Sequence, residues 1–155
     1  TLNEKTTNAM VLRDTGALLR SLEGDANAQA VGTIGTCMGG RHAMLAAAEY
    51  PDQVLAFASI HGGKLFSDQS DSPHLAIPKL KAEGYFGWAG NDVAAPEEHL
   101  EYYQSELLRC GVPHHIDYVI DACHGYFFPE RHVYHWETAE KSWRYVLEMF
   151  ARHLK

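Results

Sequence analysis

The chain has 155 residues, a formal net charge of −7, and 46% hydrophobic and 21% charged residues. That length suffices for one domain with a substantial core, and an acid excess without a basic stripe argues against nucleic acid or an anionic membrane surface as partner. No apolar run approaches a membrane span and no segment has signal-peptide layout; Cys37, Cys110 and Cys123, at no framework spacing, read as reduced thiols of a cytoplasmic protein.

The chain opens Thr1-Leu2-Asn3, without a Met, and enters a helical pattern before any strand, which reads as a piece of something longer. Val11, Thr15, Leu18 and Leu22 share one helical face, with Leu12 and Leu19 beside them, and Gly24-Asp25 ends the helix. Residues 30–36 form an apolar β run. A helix over 38–49 follows at once and stops at Tyr50-Pro51. Residues 54–60 are continuously apolar, as in a strand buried on both faces. A loop runs from His61 through Pro73, with a short helix expected over 73–82.

Residues 84–89 read as the next strand. Pro96 stands at a first helical position with Glu97 and Glu98 in the first turn; Leu100, Tyr103 and Leu107 continue that helix and Gly111 terminates it. Residues 115–120 are a fourth strand. Trp136, Ala139, Trp143, Val146 and Phe150 form one apolar stripe along a closing helix. Strands alternating with helices imply a mostly parallel sheet covered on both faces, a three-layer α/β sandwich. Ligands of such sheets sit beyond the C-terminal strand ends.

Three reactive residues fall in those loops. Cys37 follows the first strand in Gly35-Thr36-Cys37-Met38-Gly39-Gly40, the pattern of a nucleophile elbow carrying a thiol, and it stands at a helix N-terminus that favours thiolate. Asp92 follows the third strand and His124 the fourth, the chain order nucleophile, acid, histidine of α/β-hydrolases. In that reading His124 takes the thiol proton and returns it to a leaving group, and Asp92 fixes the imidazole tautomer and stabilises its charged form. The backbone N–H of Met38 donates to the oxyanion. One such donor is worth roughly 3 kcal/mol of barrier. The second donor normally follows an earlier strand, which this sequence lacks.

These residues carry a resemblance to the dienelactone hydrolase family, the carboxymethylenebutenolidase-like α/β-hydrolases. The matching segments are the elbow, Gly87-Trp88-Ala89-Gly90-Asn91-Asp92 through Pro96, and His124-Gly125-Tyr126-Phe127 through Pro129 and Arg131, with residues 134–154 similar to the family's last helix. The resemblance spans nearly the whole chain. It implies an α/β-hydrolase-like fold of which the C-terminal four strands are present, 1–155 being one domain without its N-terminal strands. It also implies hydrolysis of a small-molecule ester or lactone through a thioester on Cys37, with Asp92 and His124 as partners and no metal or organic cofactor. The family's best-known members place an arginine four residues after the histidine to hold a substrate carboxylate. That position is Phe128 here, so the expectation is a broader ester or lactone substrate, with His61, Phe128 and Arg131 as candidate substrate contacts.

The absent half has a consequence in this reading. The family's elbow strand is central in the sheet, whereas 30–36 becomes an edge strand, apolar on both faces, that a second polypeptide would have to cover. Bland roles stand beside the chemical ones. Cys37 could be a small buried hydrophobe, Asp92 a turn cap with Asp121 as a rival orienting acid, and His124 a satisfied loop histidine. Cys110 and Cys123 read as packing residues. His114, His115, His132 and His135 lack zincin spacing and read as surface residues. His61-Gly62-Gly63 reads equally as pocket lining or a tight turn. Tyr85, Phe86 and Trp88 read as core, while Tyr126, Phe127 and Phe128 divide between core and pocket wall. Two other function classes remain open: a non-catalytic binding or regulatory module on the same scaffold, and a thiol acyltransferase or peptidase.

Overall fold

A computed structural model of the chain describes residues 5–22, 24 and 29–154. Its elements are α1 (Asn8–Ser21), β1 (Val31–Thr36), α2 (Met38–Glu49), β2 (Val54–Ile60), a 3-10 helix (Pro73–Lys79), β3 (Glu83–Asn91), α3 (Glu97–Arg109), β4 (His114–Cys123) and α4 (Trp136–His153). The sheet has four strands in the order β1-β2-β3-β4, every neighbouring pair parallel. Among the described residues no helix is long and apolar enough to cross a membrane.

The period of two along each strand sorts the core into two layers. Phe57, Phe86 and Trp88 face α2, the 3-10 helix and α3, where Met44, Ile77, Leu100, Tyr103 and Leu107 meet them. Ala56, Ala58, Ile60, Tyr85 and Ala89 face the other way, onto Ala139, Val146 and Met149 of α4. The result is a three-layer α/β-hydrolase-like sandwich. Tyr85, Phe86 and Trp88 are core, as their apolar run implies.

The helix faces differ in places from the sequence pattern. In α1 the buried residues are Gly16 and Leu19, while Leu18 is 60% exposed. The cause is Tyr50, whose hydroxyl donates to Leu12 O at 2.7 Å and lies where a Cβ on Gly16 would come. The helix stops at Ser21; Asp25 and residues 1–3 lie outside the described residues. In α4 the buried stripe is Thr138, Ala139, Ser142, Val146 and Met149, and Trp136 and Trp143 are 63% and 41% exposed. Ser142 takes the core position because its hydroxyl donates to Thr138 O at 2.8 Å and accepts the Tyr85 hydroxyl at 2.8 Å. The helix expected over 73–82 is a 3-10 turn that ends at Lys79, and β4 continues to Cys123, three residues past the expected end.

Strand register brings the C-terminal ends level in two pairs, β1 with β2 and β3 with β4, the second pair reaching four residues further along the sheet than the first. Thr36 pairs with Ile60, Ile60 with Gly87, and Asn91 with Cys123. Residues 37, 61, 92 and 124 are therefore the first residues beyond four adjacent strands. At the other side of the sheet β1 pairs with β2 alone among the described residues, and Ile34 is 41% exposed.

Candidate active site

Cys37 is the single residue between β1 and α2, with φ 54 and ψ −120. Such left-handed geometry is costly for a non-glycine residue and is kept where the surroundings over-determine it. Two features impose it. A Cβ on Gly35 would lie 2.0 Å from Gly39 O, and one on Gly40 would lie 2.7 Å from Ser59 Oγ. Strand and helix thus approach too closely for side chains at these two positions. A Cβ on Gly39 meets nothing within 4 Å, so Gly39 enters the close approach through its backbone, and Gly40 rather than Gly39 is the second position that leaves no room for a side chain. Cys37 is half-buried, and Met38 begins α2. The Met38 N–H therefore has no intrahelical acceptor, and it directly follows Cys37 in the chain.

His124 directly follows β4. Its Nδ1–H donates to Asp92 Oδ2 at 2.6 Å, with the carboxylate buried and the imidazole partly exposed. Asp92 is fixed in turn: its Oδ1 accepts the Ala94 N–H at 2.9 Å, and Trp88 Nε1 pins the loop by donating to Ala95 O at 2.7 Å. Asp121 is exposed on β4 and is not the carboxylate that holds His124. The hydrogen bond that Asp92 accepts is the main cause that raises the His124 pKa to about 9; burial opposes it, and a hydrogen bond with Cys37 adds to the rise. His124 is thus bonded to Asp92 and lies close to Cys37, a Cβ on Gly63 being 3.9 Å from both Cys37 C and His124 Cε1.

His61 lies on the same rim, buried and with φ 38. Its ring stands edge-on to His124 at 4.8 Å between centroids. Burial, then the charge of His124, pushes its pKa down to about 4. The turn it starts is bonded to the elbow: Cys37 N–H donates to Ile60 O at 3.1 Å, and Gly63 N–H donates to Cys37 O at 2.9 Å. Phe128 is 38% exposed at the rim, whereas Tyr126 and Phe127 belong to the core. Arg131 is exposed and folds back over Gly125, where a Cβ would lie 2.8 Å from its Nε.

Sequence reasoning missed Arg41. It sits one helical turn beyond Cys37, is 7% exposed, and interacts electrostatically with Cys37 and Asp71; burial is the main force on its guanidinium and lowers its pKa. With Lys64, Ser67 and Asp71 it lines a cavity of about 350 Å³. The available signal was a cation within the otherwise apolar, Ala-rich face of α2. Three further histidines have local roles. His135 Nδ1 caps α4 by accepting from Thr138, His115 Nε2 meets Asp117 at 3.1 Å, and His114 Nδ1 meets Val112 O at 2.7 Å. Cys110 Sγ donates to Glu106 Oε1 at 3.7 Å, and Cys123 is half-buried at the end of β4.

A Yersinia pestis protein named "Putative carboxymethylenebutenolidase" is 30% identical over 129 residues, covering 77% of this chain and 45% of the relative. A Synechocystis protein of the same name is 28% identical over 159 residues, covering 99% of this chain and 64% of the relative. The chain therefore spans about half to two thirds of the length of these relatives. Among solved structures, a "Putative Dienelactone Hydrolase" from Klebsiella pneumoniae superposes with a TM-score of 0.86 at 24% identity, over 97% of this chain and 64% of that one. A metagenomic dienelactone hydrolase-like promiscuous phosphotriesterase gives 0.76 at 19% identity, over 95% of this chain and 63% of that one. At such identities the structural likeness speaks for the fold, and the fold is shared. The family model of the dienelactone hydrolases matches residues 1–154, and the chain belongs to the dienelactone hydrolase family.

Proposed function

We propose that the protein containing this chain hydrolyses a small-molecule carboxylic ester or lactone through a thioester on Cys37. The single observation behind this reading is the juxtaposition of Cys37, His124 and Asp92, with a sulfur on a strained elbow and an imidazole held by a buried carboxylate. His124 accepts the Sγ proton. The thiolate attacks the carbonyl carbon, and the carbonyl π electrons move to oxygen, where the Met38 N–H stabilises the anion. Collapse re-forms the carbonyl and expels the alkoxide, which takes the proton from His124. Water, deprotonated by His124, then attacks the thioester, and the sulfur leaves as thiolate. Asp92 keeps Nδ1 protonated throughout, so that Nε2 serves the sulfur. His61, Phe128 and Arg131 border the rim where the acyl and alcohol portions would lie.

The chain is read as one α/β-hydrolase domain without its N-terminal strands. A second polypeptide, or further residues of a longer protein, would pair along β1 and bring the second oxyanion donor. Support comes from the free side of β1 and from the greater length of the relatives. The three free cysteines suit a reducing, cytoplasmic setting.

The test is turnover of small aryl esters by the full-length protein. Cys37→Ala and His124→Ala each abolish it, and mass spectrometry finds an acyl group on Cys37 during turnover. Unchanged turnover in either variant overturns the mechanism. Transfer to an added alcohol or amine in preference to water would instead assign a thiol acyltransferase, and a slow thiol that forms no acyl adduct would assign a binding module.

A further inference from the structure

His61 has features that a space-filling residue does not need. It is 2% exposed, and neither ring nitrogen has a hydrogen-bond partner. Its backbone is left-handed, and its N–H is fixed on Gly87 O at 2.7 Å. Orphaned buried polar atoms and left-handed non-glycine residues both work against folding. A leucine or phenylalanine would fill this space without the orphaned nitrogens. The polarity of the ring must therefore act on a neighbour.

Its neighbours narrow the choice. The rings of His124, Tyr126 and Phe128 stand around it, all edge-on, with centroids at 4.8, 5.4 and 6.2 Å. The Tyr126 hydroxyl is engaged with Ser142 at 3.2 Å, and Phe128 has no polar atom to receive. That leaves His124. The titratable groups facing His124 are Cys37, Asp92 and His61, and those acting on His61 are His124, Asp92 and Arg131.

We propose that His61 is a positioning residue for His124: an uncharged imidazole whose ring dipole lies against the other imidazole and favours its charged form in the Cys37–His124 pair. The inference rests on the reading of Cys37 as nucleophile. No proton passes to His61; the proton leaving Sγ stays on His124 Nε2. Burial among these rings holds His61 at a pKa of about 4, so it remains neutral while His124 is charged. A charged His61 would repel the imidazolium, and an apolar ring would give it no dipole.

The experiment is alkylation of Cys37 by iodoacetamide, read peptide by peptide between about pH 5 and pH 9, the range over which a thiolate paired with an imidazolium differs from a free thiol. Variants of the chain carry His61→Phe, His61→Leu, His61→Asn or His124→Ala. His61→Phe and His61→Leu should slow alkylation near pH 6 by about tenfold, one unit in the apparent thiol pKa, without a lower thermal midpoint. His61→Asn, which restores a dipole but not a ring, should recover part of the rate. His61→Phe and His61→Leu profiles that superpose on the wild type would overturn the inference and leave the cysteine reading intact. A wild-type profile that is already that of a free thiol, unaltered by His124→Ala, would overturn the cysteine reading and this inference with it.

Discussion

Cys37 and Ile60 are joined backbone to backbone, the Cys37 N–H donating to the Ile60 carbonyl at 3.1 Å. The bond ties the elbow to the end of β2, and the Gly63 N–H closes the loop by donating back to Cys37 O at 2.9 Å. Two left-handed residues, Cys37 and His61, are thus held in one hydrogen-bonded frame. The cost of a strained elbow is met by the sheet rather than by the elbow itself.

That frame makes the glycines around it unequal. A methyl group at Gly35 would meet Gly39 O at 2.0 Å, and backbone atoms cannot move aside as a flexible side chain does. Gly35→Ala is expected to destabilise the chain by about 2–4 kcal/mol. Gly39→Ala meets nothing, sits inside α2 and should stabilise by up to about 1 kcal/mol through helix propensity. Urea unfolding of the two variants checks the contrast; equal effects would show that the elbow is not the close approach described.

Asp92 offers a separate test. Asp92→Asn keeps an acceptor for the Ala94 N–H, so the loop should survive, but the charge beside His124 Nδ1 is lost. The His124 pKa should fall from about 9 toward the ordinary histidine value. Turnover by the full-length protein should drop about 10⁴-fold, as expected when the orienting carboxylate of a triad is neutralised. NMR titration of the His124 ring gives the first quantity and ester hydrolysis the second. An unmoved titration would mean that Asp92 does not govern this histidine.

The sequence pattern led directly to features that depend on near neighbours. The elbow is local, because Gly35 and the strand-to-helix junction declare themselves within a few residues. A parallel sheet followed from alternation, and with it the placing of Cys37, Asp92 and His124 beyond C-terminal strand ends. Features set by distant contacts were not legible. Ser142 looks like a surface residue until Tyr85, 57 residues away, is seen to donate to it. Trp136 and Trp143 look like core, yet α4 turns Ala139 and Val146 inward. Arg41 looks like a solvated helix charge, yet it is 7% exposed and interacts with Asp71, distant in sequence.

The two rim histidines should give stability opposite dependences on pH. The folded pKa of His61 is depressed to about 4, so its contribution is full above the unfolded value near 6.5 and is lost as pH falls from there toward 4. The full linkage is about 3 kcal/mol. His124 is raised to about 9, so its contribution is full below the unfolded value and is lost as pH rises through 9. From these two groups alone, stability should peak near the ordinary histidine pKa. His61→Phe should flatten the acid limb and leave the alkaline one. Thermal unfolding at a series of pH values decides, and an acid limb that persists unchanged in His61→Phe would assign it to other groups.

Ile34 separates a free edge from a covered one. Its side chain is 41% exposed on β1, whose outer side has no strand partner among the described residues. An apolar edge of this kind templates pairing with other chains, and an outward charge blocks it. In the chain alone, Ile34→Lys should therefore reduce self-association, seen as lower light scattering at equal concentration, with little change in unfolding midpoint. In a longer protein whose preceding strand pairs along β1, the same lysine would be buried beside that strand and should destabilise by about 1–3 kcal/mol. Opposite outcomes in the two proteins would support β1 as a seam with a further strand; a harmless lysine in both would speak against strand pairing there.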